Sequence, residues 1–204
     1  MSPRGLLIVI SAPSGAGKST LCRELLKNHP DIRRSISVTT RPPRPGEIPD
    51  KDYYFISEEQ FWKMLGNNEL AEWALVHGNY YGTPQKNLEE ALTRGEDMIL
   101  AVDVQGGSQL KKKYPEGIFV FLLPPSWGEL EERLRARKTE SEEIINQRLR
   151  NARKETQHLR EYDYAVVNAE FSQAVKELEA IIIAERCRVK RKLANDPPNK
   201  EILC

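Results

Sequence analysis

The stretch LLIVISAPSGAGKST (6–20) leaves few options for the fold. Its first five residues are aliphatic and lack the alternation of a half-exposed strand, the pattern of a strand buried on both faces of a parallel sheet. Gly15 and Gly17 follow, and then STLCRELLKN (19–28), whose apolar residues recur at helical spacing. Strand, glycine turn and helix in that order aim successive backbone N–H groups and the positive end of a helix at one point, which suits a phosphate.

APSGAGKST (12–20) fits the P-loop pattern, with Ala12 at a leading position often held by glycine. Lys18 is placed to reach the β- and γ-phosphates of a nucleotide, and the Ser19 hydroxyl to hold Mg²⁺. Ser11, Ala12, Pro13, Ser14, Gly15, Ala16, Gly17 and Thr20 complete the expected ATP-binding loop. A glycine turn that merely caps a helix would not need the complete GKST. By itself the motif binds a nucleoside triphosphate and leaves open what happens next.

The rest of the chain repeats the strand and helix rhythm. MILAVDV (98–104), IFVFLL (118–123) and YAVVN (164–168) read as further buried strands. PQKNLEEALTRG (84–95), SWGELEERLRARK (126–138) and SEEIINQRLRNARKETQHL (141–159) have helical period, and a last helix is expected over roughly 175–188. The alternation predicts an α/β sandwich with right-handed crossovers, and 204 residues suit one domain. From Ser35 to Gly82 the rhythm breaks. SISVTT, DYYFI and ELAEWALVHGNYYG are mixed apolar and polar, and read as a small, half-exposed antiparallel insertion with a helix at EEQFWKML (58–65). RKLANDPPNKEILC (191–204) loses periodicity and reads as a frayed tail.

Composition excludes several classes of partner. Lys plus Arg number 31 against 30 for Asp plus Glu, so no global field draws the chain to nucleic acid or an anionic membrane. The apolar run Leu6 to Ile10 is far short of a bilayer span, and the GAGKST after it is not a cleavage region, so no targeting segment is read. Cys22, Cys187 and Cys204 have neither paired nor metal-type spacing, which suits a reducing, cytoplasmic setting. The basic run RCRVKRK (186–192) could meet RNA, but a helix C-terminus favours the same charges.

A transferase also needs an acceptor site. In TTRPPRPGE (39–47) the prolines stiffen a segment that presents Arg41 and Arg44, two guanidinium forks suited to the oxygens of a monophosphate. Tyr53 and Tyr81 can complete that ring of donors, and Glu72 and Thr83 lie in the same region.

Taken in order, SAPSGAGKST, SVTTRPPRPGE, DYYF, EWALVHGNYYGT, VDVQG and LLPPS resemble guanylate kinase, over roughly residues 4–185. The resemblance implies a three-layer P-loop NTPase fold with a parallel central sheet, a small mixed β GMP-binding insertion and a helical lid. The expected core is 4–34, 83–125 and 161–185, with the GMP-binding region at 35–82, the lid at 126–160 and a basic helix end and tail at 186–204. It implies transfer of the γ-phosphate of ATP to GMP or dGMP, directly and in line, with Mg²⁺ as cofactor. Nucleotides are then the partners, with neither nucleic acid nor membrane, and a homo-oligomer is left open.

Position by position, the resemblance assigns Arg41, Arg44, Tyr53 and Tyr81 to the GMP phosphate, and Ser37, Glu72 and Thr83 to the base. The chemistry agrees: guanine presents N1–H and the N2 amine side by side, and one carboxylate accepts from both. Adenine would face that carboxylate with a lone pair, so such a site rejects it. Arg133, Arg137 and Arg148 match the lid, and Arg137 and Arg148 join Lys18, Arg41 and Arg44 as catalytic candidates.

Some positions depart from the family. Lys138 replaces a usual glycine, and Ala101 an acidic residue two before Asp103, which is left as a candidate for metal or guanosine. Asn168 matches a residue near the adenine, although the acidic pair after it is altered to Ala169 and Glu170. Two rival readings are a scaffold domain of the same fold that holds peptides, against which the complete GKST argues, and a kinase for another acceptor, such as a sugar bisphosphate or a different nucleotide.

Overall fold

The computed structural model describes residues 5–76, 78–136 and 141–195. Its centre is a five-stranded parallel sheet made of β1 (Leu7–Ser11), β2 (Ile32–Arg34), β7 (Asp97–Ala101), β8 (Ile118–Leu123) and β9 (Tyr164–Val167), in the order β2-β7-β1-β8-β9. Because side chains alternate along a strand, β1 feeds two cores. Ile8 and Ile10 face α1 (Lys18–Asn28) and α7 (Phe171–Arg186), where they meet Leu21, Leu25, Leu178 and Ile182. Leu7 and Val9 face the other way, onto α3 (Gln85–Thr93) and α4 (Val104–Lys113), with Leu88, Leu92, Leu110 and Phe119. Every residue of β1 is buried, as its unbroken aliphatic run requires.

A second sheet holds β3 (Val38–Thr39), β4 (Tyr54–Phe55), β5 (Leu70–Val76) and β6 (Asn79–Pro84), in the order β4-β3-β6-β5. β5 and β3 pair antiparallel with β6, but β3 and β4 run parallel, so the sheet is mixed where the sequence suggests antiparallel pairing. The proline-rich 40–53 segment is the reason, since it is long enough to carry the chain back for a parallel return. α2 (Glu58–Gly66) covers this sheet. It starts in a capping box between Ser57 and Gln60 and buries Phe61 against Val38 and Leu70. α5 (Trp127–Arg135) and α6 (Glu142–Thr156) share their own small core of Leu130, Leu134, Ile145 and Ala152.

The structure corrects several sequence expectations. The predicted strand 98–104 ends at Ala101, and Asp103 instead caps α4. α4 itself goes unseen in the sequence because Gly106 and Gly107 depress its helical signal. β2 is missed because Arg33 and Arg34 are exposed on it at the sheet's edge. The final long helix starts earlier than expected, at Phe171, where the Glu170 side chain accepts from the N–H groups of Ser172 and Gln173. Beyond it, Val189–Asn195 form α8, so the segment read as a frayed tail (191–204) is helical as far as Asn195, and 196–204 lie outside the described residues. Lys190 pairs with Glu116, Arg191 donates to the Glu116 carbonyl and Arg188 pairs with Glu185, so much of the basic run is spent on docking this end of the chain. Among the described residues no helix is long and apolar enough to cross a membrane.

Candidate active site

The phosphate loop sits at the carboxyl end of β1, between the ends of β7 and β8, the position where open parallel sheets bind ligands. Gly15 and Gly17 both have φ of +96°, a region that L side chains rarely adopt. Space is closed as well. A Cβ on Gly17 would lie 2.4 Å from Asn168 Nδ2, and one on Gly15 2.9 Å from a methyl of Leu130. No side chain caps α1, so its first N–H groups point into the loop.

Asn168, expected near the adenine, lies buried with its amide donating to the Ala16 carbonyl at 2.8 Å. Its own carbonyl accepts from Arg133 Nη2 at 3.0 Å. The chain after β9 thus braces the loop from behind, and Arg133 ties α5 to that brace. Lys18 donates to the carbonyl of Val102. Enclosure of its ammonium group holds its pKa below the usual lysine range, opposed by the charges of Cys22, Asp103, Glu155 and Glu72. Ser19 and Thr20 are exposed at the start of α1.

Asp103 sits half-buried beside the loop, and Ser11 Oγ donates to its carbonyl at 3.2 Å. Its carboxylate accepts from the Gly106 N–H at 2.9 Å and from Gln105 Nε2 at 3.1 Å. Between metal and guanosine, the geometry gives it a third task, that of capping α4. Ala101, at the end of β7, is exposed.

The acceptor-side residues gather on the second sheet. Glu72 on β5 and Thr83 on β6 are cross-strand partners, both buried, and the Thr83 hydroxyl donates to Glu72 Oε1 at 2.6 Å. Burial pushes the Glu72 carboxyl up to about 7, with the Asp103 charge adding to that shift and Thr83 and Lys18 opposing it. Gly106 makes this placement possible, because a Cβ there would lie 2.3 Å from Glu72 Oε2. Gly106→Ala should therefore push the carboxylate out of place. The expected result is an acceptor KM raised about tenfold with the donor-nucleotide KM unaltered, even though alanine favours a helix by about 1 kcal/mol. Steady-state kinetics in both substrates check this. Ser37, half-buried, ties β3 to β4 through its carbonyl, which accepts from the Tyr54 N–H at 2.9 Å.

Arg41 is 7% exposed and lies over the rings of Tyr53 and Phe55, with its Cζ 4.8 and 5.5 Å from their centroids. Tyr81 meets Tyr53 edge to face, their centroids 6.0 Å apart. Both terminal nitrogens of Arg41 donate to Glu47, each at 2.6 Å, and the Arg44 N–H donates to the same carboxylate at 2.8 Å. Arg41 holds the Glu47 carboxyl below its ordinary range. The turn 41–47 is closed on itself by this fork, with the Arg44 side chain exposed at its tip. From the far side, Arg34 on β2 reaches the Asp52 carbonyl at 3.3 Å and has its Cζ 5.9 Å from the Tyr53 centroid.

Of the residues expected in a lid, Arg148 on α6 donates to Ser14 Oγ in the loop at 3.3 Å. Arg137 and Lys138 lie outside the described residues. Sequence reasoning missed Glu47, Gly106, Arg34 and Glu155. Only Glu47 carried a signal, since an acidic residue in a turn with two arginines has an obvious use.

The profile of the guanylate kinase family matches residues 4–185. The chain belongs to the guanylate kinase family. It is 53% identical over 188 residues to a guanylate kinase of Desulfitobacterium hafniense, covering 92% of this chain and 94% of that protein. A guanylate kinase of Geobacter sulfurreducens is 50% identical over 193 residues, covering 95% of each. The crystal structure of guanylate kinase from Anaplasma phagocytophilum superposes with a TM-score of 0.79 at 33% identity, covering 97% of this chain and 98% of that one. The described residues bring Glu72 and Thr83 together on the second sheet, Arg41 over Tyr53 with Tyr81 edge-on to that ring, and the Lys18 charge within the field of Glu72.

Proposed function

We propose that this chain is a guanylate kinase, transferring the γ-phosphate of ATP to GMP to give ADP and GDP. The observation that carries the reading is the buried Glu72 and Thr83 pair, coupled electrostatically to Lys18 of the phosphate loop. A carboxylate lodged so deep suits a ligand edge with two adjacent donors, which is what guanine N1–H and N2 offer. Opposite it, Arg41 and Arg44 take the acceptor's phosphate with the hydroxyls of Tyr53 and Tyr81. The phosphate competes with Glu47 for the Arg41 fork, and Glu47 holds that fork in place beforehand.

The donor's phosphates lie on the loop N–H groups from Gly15 onward, with Lys18 turning from the Val102 carbonyl to the β- and γ-oxygens. A GMP phosphate oxygen then attacks the γ-phosphorus in line, ADP leaves, and no phosphoenzyme forms. Lys18, Arg148 and Arg137 stabilise charge on the transferring group, and closure of the 126–160 segment excludes water. Asn168 supports the loop beneath ATP rather than reading its base. A hard oxygen donor, the Ser19 hydroxyl, stands at the loop's end, which suits Mg²⁺, an ion that keeps most of its waters and takes few protein ligands. When bound, Mg²⁺ supplies neutralisation of the triphosphate charge.

A coupled assay with ATP and GMP, dGMP, AMP, dTMP or a ribose bisphosphate tests the reading. Turnover with GMP and dGMP well above the others is the expected outcome, and equal or faster turnover of any other acceptor contradicts it.

A further inference from the structure

The inward stripe of α6 runs Ile145, Arg148, Ala152, Glu155, at spacings of three and four residues. Ile145 and Ala152 pack into the small core shared with α5. The two charged members of the stripe both meet the phosphate loop. Arg148 donates to the Ser14 hydroxyl at 3.3 Å. The Glu155 carboxylate lies against the Ser14 backbone N–H and within the field of the Lys18 ammonium, and each of these favours its charged form. Its Oε2 is closed off from water and has no hydrogen-bond partner among the described residues.

A glutamate whose sole task was to hold α6 in place would sit badly here. Burial raises its pKa above the ordinary carboxylate range, so it works against the folded state. A neutral side chain of the same shape would pack as well at less cost. What the carboxylate adds is charge and an acceptor at the turn where the γ-phosphate of a donor must lie.

On the reading of the chain as an ATP-dependent kinase, we infer that Glu155 is a positioning residue for phosphoryl transfer. With Arg148 it docks α6 on Ser14, fixes the leading turn of the phosphate loop and draws the Lys18 ammonium toward the donor's phosphates. It touches neither substrate. It sets the loop that does, and couples that loop to the helix carrying the lid arginine Arg148.

Glu155→Gln tests the inference, since it keeps shape and hydrogen-bonding capacity while removing the charge. Three quantities are compared with the unaltered enzyme: Tm, steady-state constants for ATP and GMP, and affinity for a non-hydrolysable ATP analogue measured by calorimetry. The expected result is an equal or higher Tm, kcat lowered about 10- to 100-fold, a raised ATP KM, weaker analogue binding and an unaltered GMP KM. Unchanged kcat and analogue affinity would overturn the inference. So would a fall in Tm with both KM values shifted alike, the signature of a packing role. If the unaltered enzyme does not phosphorylate GMP, the functional reading fails separately. Analogue binding then decides for Glu155: several-fold weaker binding upholds it, and equal binding overturns it.

Discussion

Lys18→Ala should lower kcat by roughly 10³-fold while costing no more than a few-fold in GMP affinity, because Lys18 reaches the acceptor side only through its field at Glu72. Lys18 is the one lysine set in the loop's glycine turn, and its ammonium is enclosed beside the ends of β1 and β7. In such a site a charge acts on the transferring phosphoryl group far more strongly than in water. The proposed GMP wall consists of Arg41, Tyr53, Tyr81, Glu72 and Thr83, and among the described residues none of these hydrogen-bonds to Lys18. The loop fold itself rests on Gly15, Gly17 and Asn168, so it survives the substitution. Lys18→Met retains much of the aliphatic bulk and should behave like alanine, which separates lost charge from lost packing. Stopped-time product assays give kcat, and calorimetric titration with GMP gives the affinity. A loss of GMP affinity matching the loss in rate would contradict this division between donor and acceptor halves.

That proposed division is already legible in the sequence, because each half is marked by residues that local chemistry demands. GAGKST cannot be read without its strand and helix, and β1 and α1 stand where those patterns end. TTRPPRPGE announces two arginines held by prolines. What escaped were groups whose roles depend on distant neighbours. Gly106 looks like a flaw in a helix until Glu72, far away in sequence, is seen to occupy the space of its missing side chain. Glu155 looks like one more solvated charge on a polar helix, since nothing in SEEIINQRL or its continuation shows that Ser14 faces it. The sequence places Asn168 and Asp103 toward a ligand, and in the structure each side chain has a backbone partner as well, at Ala16 and Gly106. Short polar side chains at strand ends read alike whether they meet a nucleotide or brace the loop that meets it. Strand β2 was hidden for a simpler reason: edge position frees its arginines to point outward, erasing the apolar pattern.

Glu72→Gln should move catalysis and stability in opposite directions. In the unaltered chain the carboxyl titrates at about 7, raised from the ordinary 4.5 chiefly by burial. A folded-state pKa above the unfolded one means that ionisation opposes folding. The penalty is absent below the unfolded pKa, grows as pH rises and is complete above about pH 7, where it reaches at most about 3 kcal/mol. Glutamine carries no such penalty and can still accept the Thr83 hydroxyl through its carbonyl, so Tm should rise, most clearly at pH 8. Guanine recognition runs the other way. N1–H and N2–H both need acceptors, and the amide NH₂ of glutamine meets one of them donor to donor, which should cost about 10²-fold in kcat/KM for GMP. The same logic fixes the pH profile. Below pH 7 a protonated Glu72 also offers a donor to a donor, so GMP affinity in the unaltered chain should climb between about pH 6 and pH 8, and that slope should vanish in the variant. GMP titrations at both pH values, beside thermal melts, measure the two effects together. Unchanged GMP kinetics, or an equal pH slope in both proteins, would remove Glu72 from base recognition and return the acceptor's identity to the arginine wall alone.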